Sequence, residues 1–382
     1  MIPVDPEVSN LLYGIARQPE DAAGIGRLAS RVKDWDAVIA LAEGHRVSQM
    51  VYLSLAAAEW PLPLAVLQRL RSDFERNAAH NLSQAAELVA LLQAFHQEEI
   101  PAIPFKGVVL AASAYGNLLV RHSGDLDILI RRNDIAKASM LLRNRGYDLM
   151  TRIRTDGQPI AAHTYEYRFC RATDGIVVEL RWQFESAEAR RFRDKVGLDR
   201  VWPRRRTAML AGVEVPNLSP EDALLILCDH GIKHTWSLMV WICDIGRILA
   251  SFPDLDWEAT IHESRQLGLG RTLAIGVLLA HQMVDAPVPA TILHRFQSSP
   301  TARRFANHFE RVLFVAPGAL PPSLLPARLQ FLDFRDRIRL CLSPDFLRPN
   351  DLDRAAVHLP KWLDPLYYVV RPLRLLLDRS PR

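Results

Sequence analysis

The run Gly124-Asp125-Leu126-Asp127-Ile128-Leu129-Ile130 constrains the fold more than any other stretch of this chain. Its two-residue alternation is that of a β-strand, which sets Asp125 and Asp127 on one face and Leu126, Ile128 and Ile130 on the other. The apolar face must lie against a core. Most of what surrounds this strand is helical. From about residue 7 to residue 98 apolar residues return every three or four positions. The clearest helix follows Pro63, carries a stripe of Leu67, Leu70, Phe74, Ala78, Leu82, Ala85, Leu88, Leu91 and Leu92, and ends near Phe95.

Between about Phe105 and Pro216 the two periods mix. Ala102 to Phe105 reads as a short strand and Gly107 to Tyr115 as a short helix. After the aspartate strand, Asn133 or Asp134 is placed to cap a helix with Ile135, Ala138, Leu141 and Leu142 on its apolar side, and Gly146 to end it. Tyr165 to Cys170 and Gly175 to Trp182 are strand-like runs, and the Asp174-Gly175 pair between them predicts an antiparallel hairpin. The helical period returns at Ser219-Pro220-Glu221-Asp222, with serine capping and acidic residues meeting the positive end of the helix. The expected fold is α+β: a small mixed sheet in residues 101–216, flanked by helical regions over 1–100 and 217–382.

With 382 residues, 49% of them apolar, the chain can bury a large core, which excludes disordered and collagen-like classes. Its four cysteines show no Cys-x-x-Cys spacing and make no disulfide framework. Nothing at the start has the order of a secretory signal, and the expected location is cytoplasmic. Net charge is only +4, too diffuse for a general nucleic-acid binder. Any polyanion site must therefore be local.

The aspartates suggest where that site is. Two carboxylates side by side on a strand repel, and a hard divalent cation with oxygen ligands, such as Mg²⁺, relieves the repulsion. In Val177-Val178-Glu179-Leu180-Arg181 the alternation turns Glu179 away from Val178 and Leu180, giving a third carboxylate on a strand. Upstream, Lys106-Gly107 sets a cation and a glycine between a strand and a helix start, where backbone N–H groups can meet phosphate oxygens. Arg121 and Ser123 are candidate further donors. An ion pair of Glu179 with Arg181 or Arg168 is the plain structural alternative for that residue.

Lys106-Gly107, then Arg121-His122-Ser123-Gly124-Asp125-Leu126-Asp127, then a carboxylate in a later strand resembles the nucleotidyltransferase superfamily that includes DNA polymerase beta. More narrowly, with His230, His234, Trp236, Trp241 and Asp244 in a helical segment opened by Ser219-Pro220, it resembles the bacterial uncharacterised nucleotidyltransferase family over roughly residues 40–250. The resemblance implies transfer of NMP from an NTP to an acceptor with release of pyrophosphate. It implies Mg²⁺, or Mn²⁺, on Asp125, Asp127 and Glu179, and a nucleotide held by Lys106, Gly107, Arg121, Ser123, His230, Lys233 and His234. Sugars, peptides and proteins are the acceptors it suggests. Two positions depart from the wider pattern: Val108 stands where glycine or serine is usual, and Glu179 where aspartate is commoner. A non-catalytic nucleotide-binding module, or transfer of phosphate or a sugar phosphate, are the competing readings.

Three further features stand apart. His230 and His234 are spaced like zinc ligands on a helix, but the glutamate of His-Glu-x-x-His is missing. Arg181 to Arg206 holds nine Lys or Arg against four Asp or Glu and reads as a solvated face before an anion site. At the C-terminus Leu366, Val369, Val370, Leu373, Leu376 and Leu377 form a stripe, expected to dock on the protein's own core, with peripheral membrane contact as the alternative.

Overall fold

The computed structural model describes residues 5–151, 165–184, 197–314 and 359–377, with isolated positions between the last two stretches. The chain divides into two compact units, 1–317 and 318–382. Five helices open the first unit: α1 (Pro6–Arg17), α2 (Ala22–Ala29), α3 (Trp35–Gly44), α4 (Ser48–Ala57) and the long α5 (Leu64–Gln97). The sheet region follows with β1 (Ala102–Phe105), α6 (Gly107–Ala114), β2 (Leu126–Ile130), α7 (Ile135–Asn144), β3 (Asp148–Leu149), β4 (Glu166–Cys170), β5 (Val177–Arg181), α8 (Leu198–Val201), β6 (Arg206–Leu210) and β7 (Val213–Asn217). Helices then return: α9 (Pro220–Lys233), α10 (Met239–Ser251), α11 (Trp257–Gln266), α12 (Gly270–Val284), α13 (Ala290–Gln297) and α14 (Pro300–Val312). This is a mixed α+β fold, mainly helical, around a small mixed sheet.

That sheet has the order β1-β2-β5-β4-β3. β2 is antiparallel to β1 and parallel to β5, and β4 pairs antiparallel with β5 through the expected turn at Asp174-Gly175. Asp174 closes that turn by accepting from the Ile176 N–H, and Gly175 takes a positive φ of 72°. Leu126, Ile128 and Ile130 pack with Val178, Leu180, Phe169 and the α5 residues Leu88, Leu91 and Phe95. The back of the aspartate strand is thus the centre of the core.

The structure departs from the sequence reading in four places. The strand begins at Leu126, so Asp125 lies just before it. A single 3₁₀ turn, Arg132–Asp134, precedes α7, and the Asp134 side chain makes no capping bond. The hairpin β6–β7 was not anticipated; it turns on Ala211 and Gly212, both at positive φ, and adds Ala208, Leu210 and Val215 to the core. On α5, Leu67 and Leu82 are exposed, while Asn77, Asn81 and Gln84 face inward. Asn81 explains the last departure: its side-chain amide donates to the carbonyls of Leu118 (2.6 Å) and Arg121 (2.7 Å), fixing the segment that leads into β2.

In the second unit, α15 (Tyr367–Leu377) exposes Leu366 just before it and Val369 and Leu373 on it, while Val370 is half-buried. The side chains of Leu376 and Leu377, and most of the basic stretch after Gln183, lie outside the described residues. Among the described residues, no helix is long and apolar enough to cross a membrane.

Candidate active site

Parallel pairing sets Asp127 directly opposite Glu179 on the neighbouring strands β2 and β5. Asp125 joins them from the end of the loop before β2, and one oxygen from each carboxylate lies within 4.8 Å of the others. Asp127 and Glu179 are buried, Asp125 partly so. Burial, reinforced by the charge of Asp127, pushes the Glu179 carboxyl up to about 7, and the same two causes raise Asp125. An all-oxygen set of three carboxylates suits a hard cation such as Mg²⁺.

Two protein cations already face this cluster. Arg181, two residues beyond Glu179 on the same strand face, donates from Nε to Asp127 Oδ1 (3.0 Å), from Nη2 to Glu179, and pairs through Nη1 with Glu166 (2.6 Å). Burial works against its charge, but Asp127, Glu166 and Glu179 outweigh that and keep it protonated. Lys106 Nζ stands 3.9 Å from Asp127 Oδ2 and 3.1 Å from His230 Nδ1. Burial lowers the Lys106 ammonium, while Asp127 holds it up.

Lys106 occupies a backbone conformation, φ 60° and ψ −154°, that side chains other than glycine's rarely adopt. Gly107 follows at φ 45° and opens α6. A Cβ on Gly107 would lie 2.8 Å from Ser123 Oγ and 3.2 Å from the Asp125 carbonyl oxygen, so glycine is required by conformation and by space. Ser123 Oγ is buried with no hydrogen-bond partner among the described residues. The first N–H groups of α6 and this hydroxyl form a small donor cradle beside the carboxylates.

Arg121 is engaged elsewhere. Its guanidinium grips Asp244 of α10 with Nε–Oδ1 at 2.7 Å and Nη2–Oδ2 at 2.8 Å, while Nη1 donates to the His122 carbonyl (2.9 Å). Tyr115 donates to the same Asp244 oxygen (2.8 Å). His230, at Lys106, packs against His234 with the rings tilted at 60° (centroids 4.6 Å apart), and Trp241 meets both rings at 5.1 and 5.2 Å. Burial and then Lys106 hold His230 well below its ordinary pKa, so it is neutral; Lys233 adds to that positive field. Gly231 has a packing role: a Cβ there would strike the Trp236 ring at 2.5 Å.

The structure therefore brings Asp125, Asp127, Glu179, Lys106, Gly107, Ser123 and His230 to one place. It sets His234 one ring further out and gives Arg121 to Asp244. Arg181 was weighed from sequence only as a partner of Glu179, yet its two-residue spacing from Glu179 on a strand was the signal that it would reach the shared face. Tyr115 left no signal in the sequence, because its partner Asp244 is 129 positions away.

A small mixed sheet thus gathers carboxylates from two adjacent strands and the loop before one of them, beside a Lys-Gly helix start. The model of the uncharacterised nucleotidyltransferase family matches residues 31–285, from the loop before α3 to the residue after α12, and the chain belongs to that family. Among solved structures, the antibiotic-resistance factor ANT(2'')-Ia is similar at 13% identity, over 59% of this chain and 97% of that one, with a TM-score of 0.30. An antigenic nucleotidyltransferase-like protein from Paracoccidioides brasiliensis is similar at 16% identity, over 55% and 94%, with a TM-score of 0.33. A comparison with curated proteins finds no match. The family match carries the assignment.

Proposed function

We propose that this protein transfers NMP from an NTP to an acceptor hydroxyl in a divalent-metal-dependent reaction. The observation that carries the proposal is the gathering of Asp125, Asp127 and Glu179 oxygens within 4.8 Å beside the α6 N-terminus. Those three carboxylates would hold Mg²⁺ or Mn²⁺, which when bound supplies neutralisation of the triphosphate and of the departing pyrophosphate. The α6 backbone N–H groups and Ser123 Oγ receive phosphate oxygens, and Lys106 adds a charge at the same edge. His230, His234 and Trp241 offer ring faces on the Lys106 side for the nucleotide, with Lys233 near them. Arg121, bound to Asp244, positions the loop that carries Ser123 and Asp125. The acceptor oxygen forms a bond to the α-phosphorus, the bond to the bridging oxygen breaks, pyrophosphate leaves with the electron pair, and the hydroxyl proton passes to a carboxylate or to water. We place the reaction in the cytoplasm, where NTPs are made and used.

Full-length protein with Mg²⁺ or Mn²⁺ and each of the four NTPs, followed by pyrophosphate release and intact mass, tests this. Release that disappears in Asp125→Ala/Asp127→Ala is the expected result. Absence of both release and metal-dependent NTP binding overturns it. One observation favours a second reading: Arg181 already supplies a cation to Asp127 and Glu179. A nucleotide-binding module without turnover would bind NTP with metal and release no pyrophosphate, and transfer of phosphate alone would show in the product mass.

A further inference from the structure

The pairing of the sheet decides how many ions the carboxylates have room for. On β5, Arg181 lies two residues beyond Glu179, opposite Leu129 of β2 and opposite Glu166 of β4. A strand turns every second side chain to one face, so Arg181 faces the carboxylates for as long as the sheet keeps its register. All three nitrogens of its guanidinium are spent on carboxylates: Nε on Asp127 Oδ1 at 3.0 Å, Nη2 on Glu179 Oε2, and Nη1 on Glu166 Oε2 at 2.6 Å.

A pair of divalent ions set about 3.5–4 Å apart is one way to clamp the attacking and leaving oxygens of an in-line displacement at phosphorus. Here Asp127 and Glu179 already have a cation between them. It is a permanent one, since a guanidinium does not shed its proton to make room. It also has an anchor of its own, because Glu166 is not among the three carboxylates whose oxygens converge. A divalent ion drawn to the same two oxygens would meet that fixed charge at contact distance, where repulsion is strongest.

The other side of Asp127 is open. Asp125 makes no hydrogen bond or ion pair among the described residues, and Asp127 Oδ2 has Lys106 no nearer than 3.9 Å. The charges agree with this division. Asp125, Asp127, Glu179 and Glu166 stand against Arg181, Lys106 and Arg168, an excess of one negative charge, which a single divalent ion more than meets.

We propose that this centre holds one divalent ion, on Asp125 and Asp127, and that the Arg181 guanidinium, anchored by Glu166, takes the place of a second ion between Asp127 and Glu179. The proposal rests on the metal-dependent reading. The positive charge on the β5 side is then part of the fold, in position before any substrate arrives.

The test is an EPR titration of the full chain with Mn²⁺ alone, counting free ion against bound, beside thermal unfolding of each variant. Wild type is expected to bind one Mn²⁺ per chain, and Asp125→Asn/Asp127→Asn none at the same concentrations. Arg181→Gln is expected to bind two, the first at least about tenfold more tightly than wild type binds its one, with the spin–spin broadening of two neighbouring ions. Where Arg181→Gln does not fold, Glu166→Gln decides instead: the guanidinium loses its anchor, and a second ion is expected to enter more weakly than the first. Two ions on the wild type, or one ion on the wild type and still only one on the deciding variant, overturns the inference and leaves the metal-dependent reaction standing. No ion on the wild type overturns both.

Discussion

Two arginine–carboxylate assemblies lie side by side, and they are built on opposite principles. At Arg121 one guanidinium meets one carboxylate: both oxygens of Asp244 are taken, Tyr115 adds a donor, and the third face of the arginine is used on a carbonyl. At Arg181 one guanidinium meets Asp127, Glu179 and Glu166, with Asp125 close by, and among the described residues Lys106 and Arg168 are the further cations that act on this group. The first assembly is balanced and closed. The second sets four carboxylates against three cations among the described residues, so negative charge is left in excess. Burial alone does not make a site; uncompensated charge within burial does.

The contrast can be broken from either side. Asp125→Asn/Asp127→Asn is expected to cut pyrophosphate release about ten-thousandfold, roughly 5 kcal/mol of barrier, while thermal unfolding stays put or rises because repulsion is relieved. A large loss of stability with it would show that the carboxylates hold the sheet together. Asp244→Ala should do the opposite, costing about 3–5 kcal/mol in urea unfolding by stranding Arg121 in the core. Replacing Arg121 by Met as well should recover part of that loss, and strictly additive losses would contradict the closed-pair picture.

Acid unfolding sharpens the contrast by locating a sensitivity outside both assemblies. His45 is fully buried, accepts weakly from the Met239 N–H, and is pushed by burial down to about 4. Its folded-state value lies below its unfolded one, so the stability of the neutral ring is present above about pH 6.5 and lost as pH falls through about 4, up to roughly 3 kcal/mol. Urea unfolding of wild type and His45→Phe across this window should show a flatter profile in the variant. Gly107→Ala should cost about 1–2 kcal/mol, through its positive φ and its approach to Ser123 and Asp125, and should lower turnover. Lys106→Gly should be the mildest for stability, neutral or stabilising by up to about 1 kcal/mol as backbone strain is released, yet it should lower turnover.

What the sequence showed of this contrast was the part written in short range. Alternation placed Leu126, Ile128 and Ile130 in the core, and Asp174-Gly175 gave the β4–β5 hairpin. Lys106-Gly107 marked the start of α6 because glycine is legible wherever a turn needs it. The closed assembly was not readable, since Arg121 and Asp244 are 123 positions apart and an arginine beside an Asp-x-Asp motif looks like a ligand contact until its partner is seen. The α5 stripe misled for a related reason. Helical period reads leucines inward, but the carbonyls of Leu118 and Arg121 needed donors, and Asn81 turned toward them while Leu82 went to solvent. The turn at Ala211-Gly212 was missed because alanine at positive φ carries no compositional mark.

Because β5 pairs parallel with β2, no tight turn can join them, and Glu179 reaches Asp127 only after α7, β3 and β4 have been laid down. A chain emerging from the ribosome thus presents Asp125 and Asp127 without their third carboxylate, and equally without Arg181. Both the acid that completes the cluster and the base that tempers it arrive on the same short strand, in the same moment. The carboxylate cluster is therefore completed late in the birth of the molecule, and a fragment ending before residue 179 lacks its third member.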